Sequence, residues 1–175
     1  MDTISSLREQ FKSAHEWLEG TMKGVTPTQL HYLPQGKALP IGASYAHIAM
    51  AEDMLVNGLL KGGAPLFASS WAGKVGISEA PPAEMPGDWS KWARSVKVDL
   101  AAVRRYAEAV HEATDQYVAL LSARALDRTV QMPIPGMDKI SVGAVLGNIA
   151  IGHVNTHCGE ISAIKGIQGA QGYPL

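Results

Sequence analysis

His153 and His157 stand four residues apart in the segment GHVNTHCGEIS, a spacing that on a helix turns the two side chains only about 40° from one another. Leu146, Ile149 and Ala150 before them and Ile164 after them share the same stripe, so both rings fall on a face that should be buried. A buried imidazole without a partner costs about 1–3 kcal/mol, so each ring must be hydrogen-bonded or ligated. One metal ion would satisfy both; two separately satisfied core histidines, or rings at the edge of the stripe, would fit the spacing as well. His47 supplies a third candidate ligand, because it lies in the most apolar segment of the chain with Ser44, Met50, Ala51 and Met54 on its own face. Three histidines from two helices, with a fourth position open to water or substrate, match a catalytic zinc site better than a structural one. Nickel or iron(II) would also accept such a set.

Glu160 returns to the same stripe, about 20° from His153 and a turn beyond His157. There it could orient a ligand or accept a proton, and it fits a boundary carboxylate equally well. Cys158 is rotated about 100° away from His157 and is expected to be a buried, inert thiol. His15, His31 and His111 are expected to be ordinary surface residues: the first lies off its helix stripe, the second in a proline-rich connector, the third among Glu108, Glu112 and Asp115. The chain has no H-E-x-x-H, no paired E-x-x-H motifs, no P-loop, no G-x-S-x-G elbow and no dinucleotide fingerprint.

The elements that must position these residues follow from hydrophobic periodicity. Ile4, Leu7, Phe11, Ala14 and Leu18 recur at three and four, which predicts an amphipathic helix over 3–24. A connector with three prolines leads to a second helix over 41–60, apolar on most sides. Residues 61–87 are rich in Gly, Ala and Pro and are expected to form a lid or binding loop anchored by Trp71. From an acidic cap at Asp88, near-heptad apolar residues predict one long third helix to about Ala125. Pro133, Pro135 and Gly136 interrupt the chain around a short extended piece, and Ser141 then caps a fourth helix that runs to about Ile167. The pattern predicts an all-α protein, a four-helix bundle with long connecting loops, forming a single domain over residues 1–175.

Charge and composition narrow the partners. Fifteen basic against sixteen acidic residues leave a net charge of -1, which offers no field for nucleic acid or anionic lipid. Glu52, Asp53 and Asn57 interrupt the most apolar run, so no membrane span is expected. A single cysteine and an N-terminus without a basic start and apolar block lead to the expectation of a cytoplasmic protein.

The stretches PIGASYAHIAMAEDM around His47 and GHVNTHCGEISAIKGIQGAQGYP around His153 and His157, with WARSVKVDLAAVRRYAE between them, resemble the DinB-like family of metal-binding bundles. In that family one histidine of the second helix joins an H-x-x-x-H pair of the fourth, and the resemblance covers nearly the whole chain. It implies a cytoplasmic bacterial protein, often a homodimer, holding a nickel- or zinc-type ion at one end of the bundle. It also implies a small-molecule substrate, since relatives include S-transferases and a maleylpyruvate isomerase that use mycothiol, bacillithiol or glutathione. The first expectation is therefore a metal-dependent enzyme acting on a small thiol, whose sulfur would become a nucleophile at neutral pH through coordination. Metal-assisted hydrolysis is an alternative, and a non-enzymatic metal- or ligand-binding bundle is another. The family's association with DNA damage finds no support in the charge pattern.

Overall fold

The first helix begins where Asp2 accepts a hydrogen bond from the Ser5 amide at 2.9 Å, an N-cap that satisfies one of the free amides of the opening turn. This helix, α1 (Thr3–Met22), buries Leu7, Phe11, Ala14, Leu18 and Met22, and Gly24 at φ 73° turns the chain away after it. These observations come from a computed structural model that describes residues 2–82, 89–133, 136 and 138–174. A short α2 (Pro27–Leu30) follows, closed by a capping box between Thr26 and Gln29.

The second long helix is α3 (Ile41–Asp53), which continues without a break into π-helical turns over Met54–Leu60. Nearly every residue of α3 is buried, as its apolar composition requires. Residues 61–82 then cross the surface, with a 3₁₀ turn at Leu66–Ala68 and with Trp71 packed edge-on against Tyr106 at 5.8 Å between ring centroids. Trp71 thus anchors this segment as expected.

The single helix expected from Asp88 to Ala125 is instead two. They are α4 (Trp89–Ser95) and α5 (Leu100–Ala119), while Asp88 itself lies outside the described residues. Residues 96–99 leave the helical path because they pair with the lid segment. Val98 bridges Ile77, the Ser78 amide donates to Lys97 O at 2.9 Å, and the Asp99 amide donates to Gly76 O at 2.8 Å. Asp99 then caps α5, accepting from the Ala101 and Ala102 amides at 3.0 and 3.1 Å. The apolar rhythm runs through the break because Trp92, Val96, Val103 and Val110 all enter the same core.

After a 3₁₀ turn at Ala123–Asp127, β1 (Thr129–Gln131) pairs antiparallel with β2 (Lys139–Ser141), Val130 opposite Ile140. This hairpin is the extended piece anticipated around Pro133; Pro135 is outside the described residues. Ser141 caps the next helix, accepting from the Ala144 amide at 3.2 Å. That helix starts as α6 (Val142–Ala144), widens into π-helical turns at Val145–Ile151 and ends as α7 (Gly152–Ile167).

The structure is mostly helical with one small two-stranded sheet. α1 packs on α5 and α7, and α3 packs on the same two helices, so the core lies between the four. Tyr45, Tyr106, Leu18, Met22, Leu146 and Ile161 fill it with almost no exposure. Lys165, whose amine donates to the carbonyls of Thr21 and Lys23, closes the C-terminal end of α1. Among the described residues no helix is long and apolar enough to cross a membrane.

Candidate metal centre

His47 comes from the middle of α3, and His153 and His157 come from the first two turns of α7, directly after the π-helical segment Val145–Ile151. A π-helical turn carries an extra residue, which rotates everything after it and here sets the direction in which His153 leaves its helix. The three rings meet. His153 Nε2 lies 3.0 Å from His47 Nε2 and 3.1 Å from His157 Nε2, with the ring planes steeply inclined to one another. Ligand atoms about 2.0–2.1 Å from a tetrahedral zinc ion stand about 3.3 Å apart, close to these separations. The rings are partly buried rather than fully enclosed, which leaves one side of the cluster approachable.

Protonation states follow from the partners. Glu160 Oε2 is 2.6 Å from His157 Nδ1, so this carboxylate accepts the Nδ1 proton and leaves the Nε2 lone pair turned toward the other two rings. Glu160 is about half-exposed, its side chain at 54%, and it reaches the cluster only through His157. Burial, aided by the neighbouring His157, pushes the His47 pKa down to about 4. Burial, followed by the proximity of His47 and His157, takes His153 to about 3. Both rings are therefore neutral at neutral pH, the form in which imidazole binds metal. His47 Nδ1 is buried and finds no hydrogen-bond partner among the described residues.

Trp89, the first residue of α4, packs its ring edge-on against His47 at 4.9 Å between centroids. This contact could not be read from the sequence, because Trp89 follows a long loop. Trp89 helps to line an apolar cavity of about 390 Å³ together with Met50, Met54, Phe67, Val75 and Ile77. Its neighbour Ser90 lines a second, more polar cavity of about 380 Å³ with Lys37, Leu39, His157 and Glu160. The second cavity is thus lined by a member of the cluster, His157, whereas the apolar one meets the cluster through the Trp89 ring that packs on His47.

Cys158 is buried, as expected, with its sulfur 3.2 Å from Thr21 Oγ1, and burial raises the thiol pKa. The other three histidines are not the surface residues expected. His31 Nδ1 faces Pro27 O at 3.1 Å, and its Nε2 accepts from the Val98 amide at 3.0 Å, pinning the break between α4 and α5. His15 and His111 stack on one another at 3.5 Å beside Glu52, a carboxylate that is only 2% exposed. The signal for this second group was Glu52 itself, since a carboxylate in the most apolar helix must find partners.

A family model described as the DinB superfamily matches residues 10–161. A crystal structure described as a conserved protein from Enterococcus faecalis is similar over 97% of this chain and 99% of that one, with a TM-score of 0.82 and 19% sequence identity, a likeness of fold. No curated protein matches the chain. With its model spanning most of the sequence and all three clustered histidines, the chain belongs to the DinB superfamily.

Proposed function

We propose that this chain is a divalent-metal protein built on a four-helix bundle, with His47, His153 and His157 as ligands, and that it catalyses transfer or isomerisation chemistry on a small thiol. The observation that carries the metal assignment is the convergence of three Nε2 atoms at 3.0 and 3.1 Å, with the far nitrogen of His157 already engaged by Glu160. Nickel and zinc both suit three neutral imidazoles. A bound ion of this kind lowers the pKa of a coordinated thiol or water, which is the chemistry the pocket would need.

The protein's own contribution is positioning. Glu160 holds His157 in one tautomer, and we assign it as a positioning residue rather than a proton-transfer group, because it touches the cluster only at His157 Nδ1. The apolar chamber beside Trp89 suits an electrophile with a hydrocarbon body, and the chamber with Lys37 suits the polar, carboxylate-bearing body of a biological thiol. A cavity at His157 together with an apolar cavity behind Trp89 favours a two-substrate reaction over simple hydrolysis.

Elemental analysis of the purified protein beside His47→Ala, His153→Ala and His157→Ala tests the site, and each variant should lose the ion held by this cluster. Metal content unchanged in all three would end the assignment. Incubation of the loaded protein with common low-molecular-weight thiols and a model electrophile tests the reaction. Thiol should be consumed faster than in the metal-free control, and equal rates would reject transferase activity toward those substrates.

A further inference from the structure

We propose that His15, Glu52 and His111 form a second site for a divalent transition-metal ion, separate from the three-histidine cluster. The residues come from α1, α3 and α5, and their ligand atoms all lie within 4.8 Å of one another. Glu52 follows His47 by five residues on α3, which turns it about 140° to another side of the helix. One ion could not be shared between the two groups.

Several features suit a cation here. Glu52 Oε2 lies 2.8 Å from His15 Nε2, and Glu52 Oε1 accepts from Thr114 Oγ1 at 2.7 Å, so the carboxylate is oriented by a neutral hydroxyl while its other oxygen faces the rings. Glu52 is 2% exposed, so among the described residues its two oxygens have only these side-chain partners to answer them in place of water. His111 Nε2 is buried and has no hydrogen-bond partner among the described residues. A wholly structural His15–Glu52 pair would leave that buried nitrogen orphaned, whereas an ion gives it a bond. Two histidines and one glutamate with positions left open are a recognised zinc donor set.

An entry path is present: a cavity of about 530 Å³ reaches the two rings from the surface between Arg8, Glu9, Glu16 and Asp115. The stacked geometry defines what loading must do. Rings only 8° from parallel and 3.5 Å apart direct their lone pairs along planes that do not intersect, so one ion cannot lie in both. His111 must tilt out of the stack, and its Nε2 has no hydrogen bond among the described residues to resist this.

The test uses the full chain, stripped with chelator, dialysed against zinc and analysed for zinc per chain, with circular dichroism to confirm folding. The His153→Ala/His157→Ala double variant should retain one ion, while His15→Gln/His111→Gln should lose half of the wild-type zinc. Combining the four substitutions should abolish binding. Zinc absent from the folded His153→Ala/His157→Ala variant, or unchanged by His15→Gln/His111→Gln, would overturn the proposal and leave an ordinary buried histidine–carboxylate hydrogen bond. Because the two pairs of substitutions act on different residues, failure of this site is distinguishable from failure of the first.

Discussion

His157 can offer Nε2 to an ion only while its Nδ1 carries the proton, and the 2.6 Å contact with Glu160 supplies the acceptor that keeps it there. Glu160→Ala should therefore weaken zinc binding about 10–100-fold, the usual effect of removing a carboxylate that orients a ligating histidine. Glu160→Gln keeps an acceptor oxygen without the charge and should lose less. Competition against a chelator of known affinity measures both, and a Glu160→Ala affinity equal to wild type would remove Glu160 from any role at the centre. His47 stood out by its place in an apolar helix, and the pairing of His153 with His157 was legible in the sequence because a four-residue spacing on one helix stripe is a local property. Glu160 was legible for the same reason, although its half-exposed position favours orienting over proton transfer. Trp89 and the His15–His111 stack were not legible, since each arises only when separate helices pack. The buried Glu52 was visible as a charge in an apolar run, and that run says nothing of which residues answer it.

At the scale of elements, Asp53 is the residue through which α3 commands the segment that follows it. Its carboxylate is fully buried and accepts from Asn57 Nδ2 at 2.8 Å, the Leu66 amide at 2.9 Å, the Phe67 amide at 3.0 Å and the Tyr106 hydroxyl at 2.7 Å. Two of those donors belong to the lid and one to α5, so a single side chain latches three parts of the fold. Asp53→Ala leaves four donors unanswered, two of them buried, and should cost about 3–5 kcal/mol, less than the sum of separate losses because the segment 61–82 can shift to recover water. Denaturant titration reads this cost, and limited proteolysis should show faster cleavage within 61–82. A variant as stable and as protease-resistant as the wild type would show that the lid is held by its apolar contacts alone. The helices themselves were evident from periodicity, while the interruption at 96–99 was not. A heptad rhythm reports which face is buried and is indifferent to a few extended residues, provided both flanking helices bury the same side. The sequence signal for the break was Asp99, a capping residue inside the run. The π-helical turns left no signal, because widening a helix by one residue preserves its apolar composition.

For the whole molecule, three buried histidines and the buried Glu52 act on stability in one direction as the pH falls below neutral. Burial takes His47 to about 4. For His111, burial and then the nearby His15 outweigh the attraction of Glu52 and also bring it to about 4. His153 falls to about 3, and Glu52 lies below its ordinary value. Each group binds a proton less readily in the folded chain than in the unfolded one, so the unfolded chain takes up more protons as the pH falls. The histidines' contribution is present above about pH 6.5, their unfolded value, and is lost as the pH falls through about 4 and then about 3, while that of Glu52 is present above the ordinary carboxylate value and is lost only below it. Chelator-treated protein should thus melt at a Tm lower by about 5 °C or more at pH 4.5 than at pH 7, given that 1 kcal/mol corresponds to a few degrees in a chain of this size. A bound ion adds a second, parallel loss, because protons compete for the same imidazoles. The zinc-induced rise in Tm should be large at pH 7 and should shrink toward zero as the pH approaches 4.5. A metal-free Tm that holds constant across this range would mean that the clustered rings already share a proton in the folded state, and that burial does not keep them neutral.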